Sequence, residues 1–538
     1  MSFGCFPAVI NFQKKVILIL MELFKKINRL LPFLLFTTLA FTYIFILAKP
    51  IDLSITDIGR HLINGREIVS QNWQVLFENT YSYTMPEQRF INHHWLSGVV
   101  FWVFYSINGF FSLHVFHTLI LIIFLMLFFN FLKLKSSWNI SFGLTLLALV
   151  FFATRTEVRP ESFGLVLTMI YLTITHFIKK KNELKWPTIL SIILLQILWV
   201  NLHISFVFGL FVFGLFTLLE VGITQSLSTK VRKNLVFLVV ILGLSSLLNP
   251  NTIQGALSPF TIFQDYGYKV FENQNLWFLR NFYKGPIIPM YYLVTAGIIG
   301  LFFAFPKVPI FEKTLAITGI FLGWTALRNI PLFVIFTFPF ISMATKEMGV
   351  FLKSKISIEQ PRLTKLLAMI VPLTLLWLTI SSHPFFQNRK PGFNFGLIDN
   401  QQETIGFLKN LPAESKIFNN YDVGSALVYS LYPEEKVFVD NRPEAYSSSF
   451  FQDLYIPSQN SEQLWEKAAD KFQFTHIVFG HRDITPWAQT FIKNRLRDNS
   501  WKMIYIDEFI LIFAKDIPEN KDQIDRYAIE VPLSRLKI

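Results

Sequence analysis

The chain is 538 residues long, 52% hydrophobic, with 60 Phe and a mean hydropathy of +0.43, which excludes an ordinary water-soluble globular protein. Its formal charge of +13 does not mark a nucleic-acid binder. Residues 1–382 hold 31 Lys and Arg against 15 Asp and Glu, and residues 383–538 hold 18 against 21, so no soluble basic face remains for DNA or RNA.

In chain order, residues 1–30 read as a cytoplasmic amphipathic segment. The apolar run 16–24 is too short to span a membrane, is flanked by Lys14, Lys15, Lys25 and Lys26, and lacks a small-residue cleavage site. Charge-free apolar runs of roughly 17–22 residues then recur, the length that crosses a ~30 Å hydrocarbon layer as a helix. Spans are expected near 31–48, 111–132, 138–153, 162–178, 188–203, 204–222, 234–248, 288–305, 314–327, 330–345 and 366–382. A polar outer loop, 50–94, precedes a helix at 95–107 that is embedded from the outer side without crossing. This gives a transmembrane domain of about eleven spans over 31–382. Loops assigned to the inside carry 21 of its Lys and Arg, and those assigned to the outside carry ten, which follows the positive-inside rule. The N-terminus is therefore expected in the cytoplasm of a bacterial cell, the chain in its inner membrane, and the C-terminus outside.

Residues 383–538 turn charged and mixed. Lys416–Asn419, Val437–Asp440 and His476–Phe479 read as short buried strands, with helices near 423–431, 461–471 and 486–497, and Trp501–Ala514 as a hairpin around Asp507 and Glu508. The expected architecture is mainly α: a polytopic transmembrane helical bundle with an extracytoplasmic C-terminal α/β domain. Cys5, the one cysteine, leaves that domain without disulfides.

On this layout the unusual polar residues gather at outer helix ends and outer loops: Asp57, Arg60, His61, His93, His94, Arg155, Glu157, Arg159, Glu161, Asn201, His203, Asn249, Arg328 and Asn329. Ionisable groups at membrane depth are costly and line sites or pathways, so the set points to a polar cavity opening outwards. Asp57, Arg60 and His61 stand at i, i+3 and i+4 on one helical face. A carboxylate beside such groups stays ionised and can serve as a general base; the alternative is a helix N-terminal Asp with Arg60 as local partner. His114 and His117 read as packing or lipid-interface residues, and Phe206, Phe208, Phe211 and Phe213 as lipid-facing or core filling. No clustered His and carboxylate pattern specifies a metal. A divalent ion is possible but unsupported, and no other cofactor is indicated. No GxGxxG, Walker or GxSxG motif occurs in a strand–helix context.

The stretches Asp57–Ile68, Asn79–Thr84, Asn92–Ser97, Arg155–Glu161, Trp199–His203, Leu248–Pro250, Arg328–Asn329, Asn420–Gly424 and Val439–Arg442 resemble bacterial GT-C-type membrane glycosyltransferases. These are relatives of protein O-mannosyltransferases and lipid A aminoarabinose transferases. The resemblance implies a GT-C-like bundle that moves a sugar from a polyprenyl-phosphate donor to a glycan, lipid or protein acceptor in the envelope, among membrane lipids, with inversion. It maps the catalytic base onto Asp57 and binding of the lipid phosphate or substrate onto Arg60, His61, His94, Arg155, Glu157, Arg159, His203, Arg328, Asp440 and Arg442. Asp440 and Arg442 can equally cap the soluble domain. Where the family pattern has an acidic residue before Trp95, this chain has His94, so any second carboxylate falls to Glu157 or Asp52. A lipid-linked-sugar transporter or flippase, and a non-catalytic GT-C-like envelope protein, are the competing readings.

Overall fold

The structure, a computed structural model, describes residues 33, 35–262, 264–282, 285–355, 377 and 394–530. The expected N-terminal amphipathic segment and the span at 366–382 lie outside the described residues. Within them, apolar helices α1 (Leu35–Leu47), α3 (Trp95–Lys135), α4 (Trp138–Phe152), α5 (Glu161–Lys181), α6 (Trp186–Leu202), α7 (Val207–Gly222) and α8 (Thr229–Ser245) form a bundle. It continues, after a short helix α9 (Thr252–Thr261), in α10 (Ile287–Ala304), α11 (Ile310–Thr325) and α12 (Ile330–Lys355). Five of the described helices, α3, α5, α10 and those containing α7 and α12, are long and apolar enough to cross a membrane. A Phe-rich core that includes Phe124, Phe128, Phe151, Phe333 and Phe338 holds the bundle together.

Two contacts at the far ends of the helices fix which loops share a side. Lys135 Nζ at the end of α3 reaches Glu312 Oε1 at the start of α11 at 2.6 Å, and Lys179 near the end of α5 pairs with Glu220 near the end of α7. The opposite ends carry the polar cluster described below.

The expected helices at 95–107 and 111–132 are the two halves of α3, which breaks at Asn108 and Gly109. Gly109 has φ 58° and ψ −145°, a conformation essentially confined to glycine. Ser112 repairs the break: its Oγ accepts from Asn108 N at 3.0 Å and donates to Phe104 O at 2.6 Å. Both ends of the first half stay near the soluble domain and the cavity-side ends of the bundle. Trp95 Nε1 donates to Asn201 Oδ1 at 2.9 Å, and the hydroxyls of Tyr105 and Tyr429 are 2.6 Å apart.

The helix α2 (Ile58–Val69) lies between α3 and the C-terminal domain, and residues 58–65 are all buried. Glycine permits this double contact. A methyl group on Gly65 would overlap the Gly98 carbonyl, and one on Gly59 would lie 2.5 Å from Ser425 O. Asn64 Oδ1 accepts a 2.5 Å bond from Tyr81 Oη.

The C-terminal domain has helices α13 (Gln401–Lys409), α14 (Gly424–Leu431), α15 (Glu462–Phe472) and α16 (Pro486–Arg495) around a four-stranded sheet. Its strands β1 (Ile417–Asn419), β2 (His476–Phe479), β3 (Trp501–Ile506) and β4 (Leu511–Lys515) run in the order β1-β2-β4-β3, with only β1 and β2 parallel. Asp507 closes the β3–β4 hairpin, its Oδ1 accepting from Phe509 N and Ile510 N at 2.7 and 2.8 Å.

The expected strand Val437–Asp440 is not part of this sheet. Val437 forms an isolated bridge with Ser82 of the loop 50–94: its N–H donates to Tyr81 O at 2.9 Å and its carbonyl accepts from Tyr83 N at 3.2 Å. Asn419, fully buried, serves the next residues, accepting from Phe438 N and donating to Val439 O. Buried backbone groups must find partners, and here an outer loop and an amide side chain supply them in place of a neighbouring strand.

Candidate active site

A cavity of about 390 Å³ opens where α2, the cavity-side ends of the bundle and the C-terminal domain meet. Asp57, Arg60, His61, His94, Arg155, Glu157, Arg159, His203 and Arg328, scattered over more than half the sequence, all line it. Its apolar part is formed by Leu121 of α3, Leu165 of α5 and Phe208 of α7. Phe208 packs against the bundle core, near Phe336, and also lines the cavity, and His117 reaches the cavity as well, with its Nδ1 buried and unpartnered. His114 is packed, between Leu47 O and Gly396 N.

Asp57 stands at the N-terminus of α2, half-buried. Its Oδ2 lies 3.4 Å from Arg60 Nη2 and its Oδ1 3.5 Å from Arg159 Nε. Burial pushes the carboxyl's pKa up, but the Arg159 and Arg60 guanidiniums overcome this and hold it below the usual aspartate value. Arg60 is itself placed from the soluble domain: its N–H donates to Ser425 Oγ and its Nε to Asn441 Oδ1, at 3.1 and 3.2 Å.

The remaining arginines form an alternating chain with two glutamates. Arg155 bonds Glu161 Oε2 at 2.6 Å and Glu272 Oε2 at 2.5 Å. Arg159 Nη1 meets both oxygens of Glu272 at 2.9 and 3.0 Å. Arg328 bonds Glu161 Oε1 and Asn273 Oδ1, both at 3.0 Å. Burial works against ionisation of Glu272, yet Arg155 and Arg159 hold its pKa well below the ordinary carboxylate range. Glu157 Oε2 is buried without a partner.

Four imidazoles complete the lining. The ring of His94 lies 4.0 Å from that of His93, 4.9 Å from His203 and 5.5 Å from His61. Burial, together with the neighbouring imidazoles and Arg60, holds the pKa values of His61 and His94 well below the usual range.

Asp440 and Arg442 are not brought to the cavity. They are 0% and 1% exposed and pair with each other inside the C-terminal domain. Arg442 Nε and Nη2 contact the two Asp440 oxygens at 2.7 and 2.6 Å, and Nη2 also reaches Asn79 Oδ1 at 2.6 Å. These residues therefore fasten the loop 50–94 to the domain; their neighbours Asn441 and Glu444 are the ones that line the cavity. Asp52, considered as a second carboxylate, points elsewhere and bonds Ser54 and Gln401.

Glu272, Glu444 and His117 are among the lining residues that sequence reasoning missed, as are Asp265, Tyr268 and Lys269. The one available signal for Glu272 was its place in the long polar connection between α9 and α10, where only Asp265 and Glu272 are acidic. Asp57, Glu161 and Glu272 are each engaged by guanidinium, and among the described residues no three His, Cys, Asp or Glu side chains converge to hold a metal ion.

By sequence the chain matches no protein-family model and none of the curated proteins. Its structure is similar to that of the archaeal oligosaccharyltransferase AglB from Archaeoglobus fulgidus, solved with an inhibitory peptide and a dolichol-phosphate. The TM-score is 0.54 at 12% identity, covering 91% of this chain and 75% of that one. The same oligosaccharyltransferase tethered to an acceptor peptide with the NVT sequon gives 0.54 at 9% identity, covering 91% and 74%. ArnT from Cupriavidus metallidurans gives 0.51 at 12% identity, covering 93% and 99%. The chain is an integral membrane protein with the fold of the GT-C glycosyltransferases.

Proposed function

We propose that the protein is a membrane glycosyltransferase that takes a sugar from a polyprenyl-phosphate donor and passes it to an envelope acceptor at the outer face of the inner membrane. The observation that carries this is the convergence of Asp57 with Arg155, Arg159 and Arg328 on one cavity, polar beside the C-terminal domain and apolar along α3, α5 and α7. Such a cavity suits a ligand with an anionic head and a hydrocarbon tail. The structural likeness to a protein solved with a dolichol-phosphate supports the same donor chemistry here.

In this reading the acceptor hydroxyl attacks the anomeric carbon as Asp57 takes its proton. The bond to the phosphate oxygen breaks on the opposite side, and the polyprenyl phosphate leaves with the electron pair, so configuration inverts. Arg155, Arg159 and Arg328 meet the charge that grows on the leaving phosphate; planar guanidinium groups suit it better than ammonium groups. Glu272, held in the fork of Arg155 and Arg159, stands where a phosphate would be gripped and gives way to it. The depressed pKa of Asp57 keeps it ionised, and so able to accept a proton, at neutral pH. Sidedness follows from the basic inner loops. The polar groups cluster at one end of the bundle, beside the C-terminal domain, which favours a transferase over a transporter built around a midplane site.

The test is turnover of purified protein with a panel of polyprenyl-phosphate sugars. Asp57→Asn is expected to lower it by roughly 10²–10⁴-fold. Unchanged turnover removes Asp57 as the base, and absence of turnover and of lipid-phosphate binding in the unmodified protein removes the enzyme.

A further inference from the structure

Three of the four imidazoles have a buried ring nitrogen to spare. His61, His93 and His203 are 1%, 8% and 4% exposed, yet His61 Nδ1, His93 Nε2 and His203 Nε2 have no hydrogen-bond partner. Buried polar atoms are left open in this way at sites that receive a ligand.

The bonds on the opposite ring nitrogens decide what two of these atoms can do. His93 Nδ1 lies 3.0 Å from Ile91 O. A carbonyl only accepts, so Nδ1 carries the proton, and Nε2 of the neutral ring is an acceptor. His203 Nδ1 receives the backbone N–H of Ser205 at 3.2 Å and lies 2.6 Å from Ser205 Oγ, which accepts from Trp199 Nε1 at 3.1 Å and has its own proton to give; Nδ1 is therefore unprotonated, and Nε2 of the neutral ring is a donor. Burial holds the pKa of His93 down at about 3, so the ring is neutral at working pH. The rings that carry this acceptor and this donor both lie beside His94, with centroids 4.0 and 4.9 Å from its own.

Resting on the reading above, we propose that His61, His93, His94 and His203 form the subsite for the transferred sugar and that it takes a neutral polyhydroxyl sugar, held by the acceptor at His93 and the donor at His203. A hydroxyl both gives and receives hydrogen bonds and satisfies both atoms. An ammonium only donates and a carboxylate only accepts, so each leaves one buried atom unanswered. An ammonium would also meet the field of Arg60 and Arg328, which bears on His93. A carboxylate would find Arg60, the guanidinium nearest this subsite, already paired with Asp57.

The experiment measures binding to the purified full chain in lipid nanodiscs. Its probes are sugar-free polyprenyl phosphate and the same lipid carrying glucose, mannose or galactose, glucuronate, or glucosamine. At least one neutral hexose is expected to bind tenfold or more tighter than the sugar-free lipid, and the two charged sugars to gain less. His93→Ala and His203→Ala should each lose that gain while keeping the sugar-free affinity, which also certifies their fold. His203→Gln, which retains an N–H donor, should restore part of it. If no neutral hexose binds tighter than bare lipid, if a charged sugar binds tightest, or if the Ala variants keep the gain, the subsite assignment is overturned while the transferase reading stands. If the folded wild type does not bind sugar-free polyprenyl phosphate, the transferase reading falls and takes the subsite with it.

Discussion

Arg442→Met tests whether the most deeply buried charged pair is a binding group or a fastening. Arg442 contributes two short contacts to Asp440, one to Asn79, and a guanidinium 4.4 and 4.8 Å from the rings of Phe90 and Tyr81. Removing it leaves Asp440, 0% exposed, with only the Tyr446 hydroxyl at 3.1 Å and the N–H of residue 442. Breaking a buried pair from one side costs about 3–5 kcal/mol, or roughly two to four orders of magnitude in the folded-to-unfolded ratio. In detergent the expected result is a much shorter half-life at a fixed elevated temperature, followed by tryptophan fluorescence, because unfolding of such a protein is a matter of rate. Donor KM in the surviving fraction should be unchanged. The double variant Asp440→Asn with Arg442→Met should recover most of the loss, since no unpaired charge remains. A single variant as durable as the wild type but deficient in donor binding would refute the assignment and return Arg442 to the substrate site.

Gly65→Ala pushes α2 away from the Gly98 carbonyl and so moves Asp57 and His61 together. We expect a loss of roughly 1–3 kcal/mol in thermal stability and a fall in turnover out of proportion to it; a silent variant would contradict the packing. Glu272→Gln removes the carboxylate that Arg155 and Arg159 now hold, and sugar-free polyprenyl phosphate should bind about tenfold tighter, measured in nanodiscs; weaker binding would make Glu272 a positioning residue instead. Asp422, half-buried, has its pKa raised to about 7, chiefly by burial and then by the charge of Asp483. A raised folded-state value means that protonation favours the fold, so this contribution is full below the ordinary aspartate range and is lost as pH rises through about 7. Asp422→Asn should therefore melt higher than the wild type at pH 8 and at the same temperature near pH 4.

The helices were legible because a lipid-crossing segment must exclude charge over a fixed length, and even the break in α3 left its mark as Asn108-Gly109. Most of the candidate site was legible for the complementary reason: Asp57, Arg155, Arg159 and Arg328 are conspicuous beside apolar runs. What sequence could not supply was distance between partners. Val437–Asp440 carries the residues of a strand, but its hydrogen bonds go to Tyr81, Tyr83 and Asn419, a choice no local pattern encodes. Asp440 and Arg442 look in one dimension like any acid–base pair of a site; burial alone assigns them to fastening. Glu272 was unremarked because its importance comes from arginines more than a hundred residues away. The hydrogen-bonding sense of His93 depends on a single neighbouring carbonyl.

The paired backbone of Tyr81, Tyr83 and Val437, and the grip of Arg442 on Asn79, tie together stretches of chain separated by some 350 residues. During synthesis the early partner reaches its compartment long before the late one exists. Its donors and acceptors cannot meet these partners until the final portion of the polypeptide is made and docks. A chain that ends before Val437 therefore lacks the backbone partners of its first loop, the Asn441 contact of Arg60 and the Glu444 wall of the cavity: the chamber closes only when the last fifth of the sequence is in place.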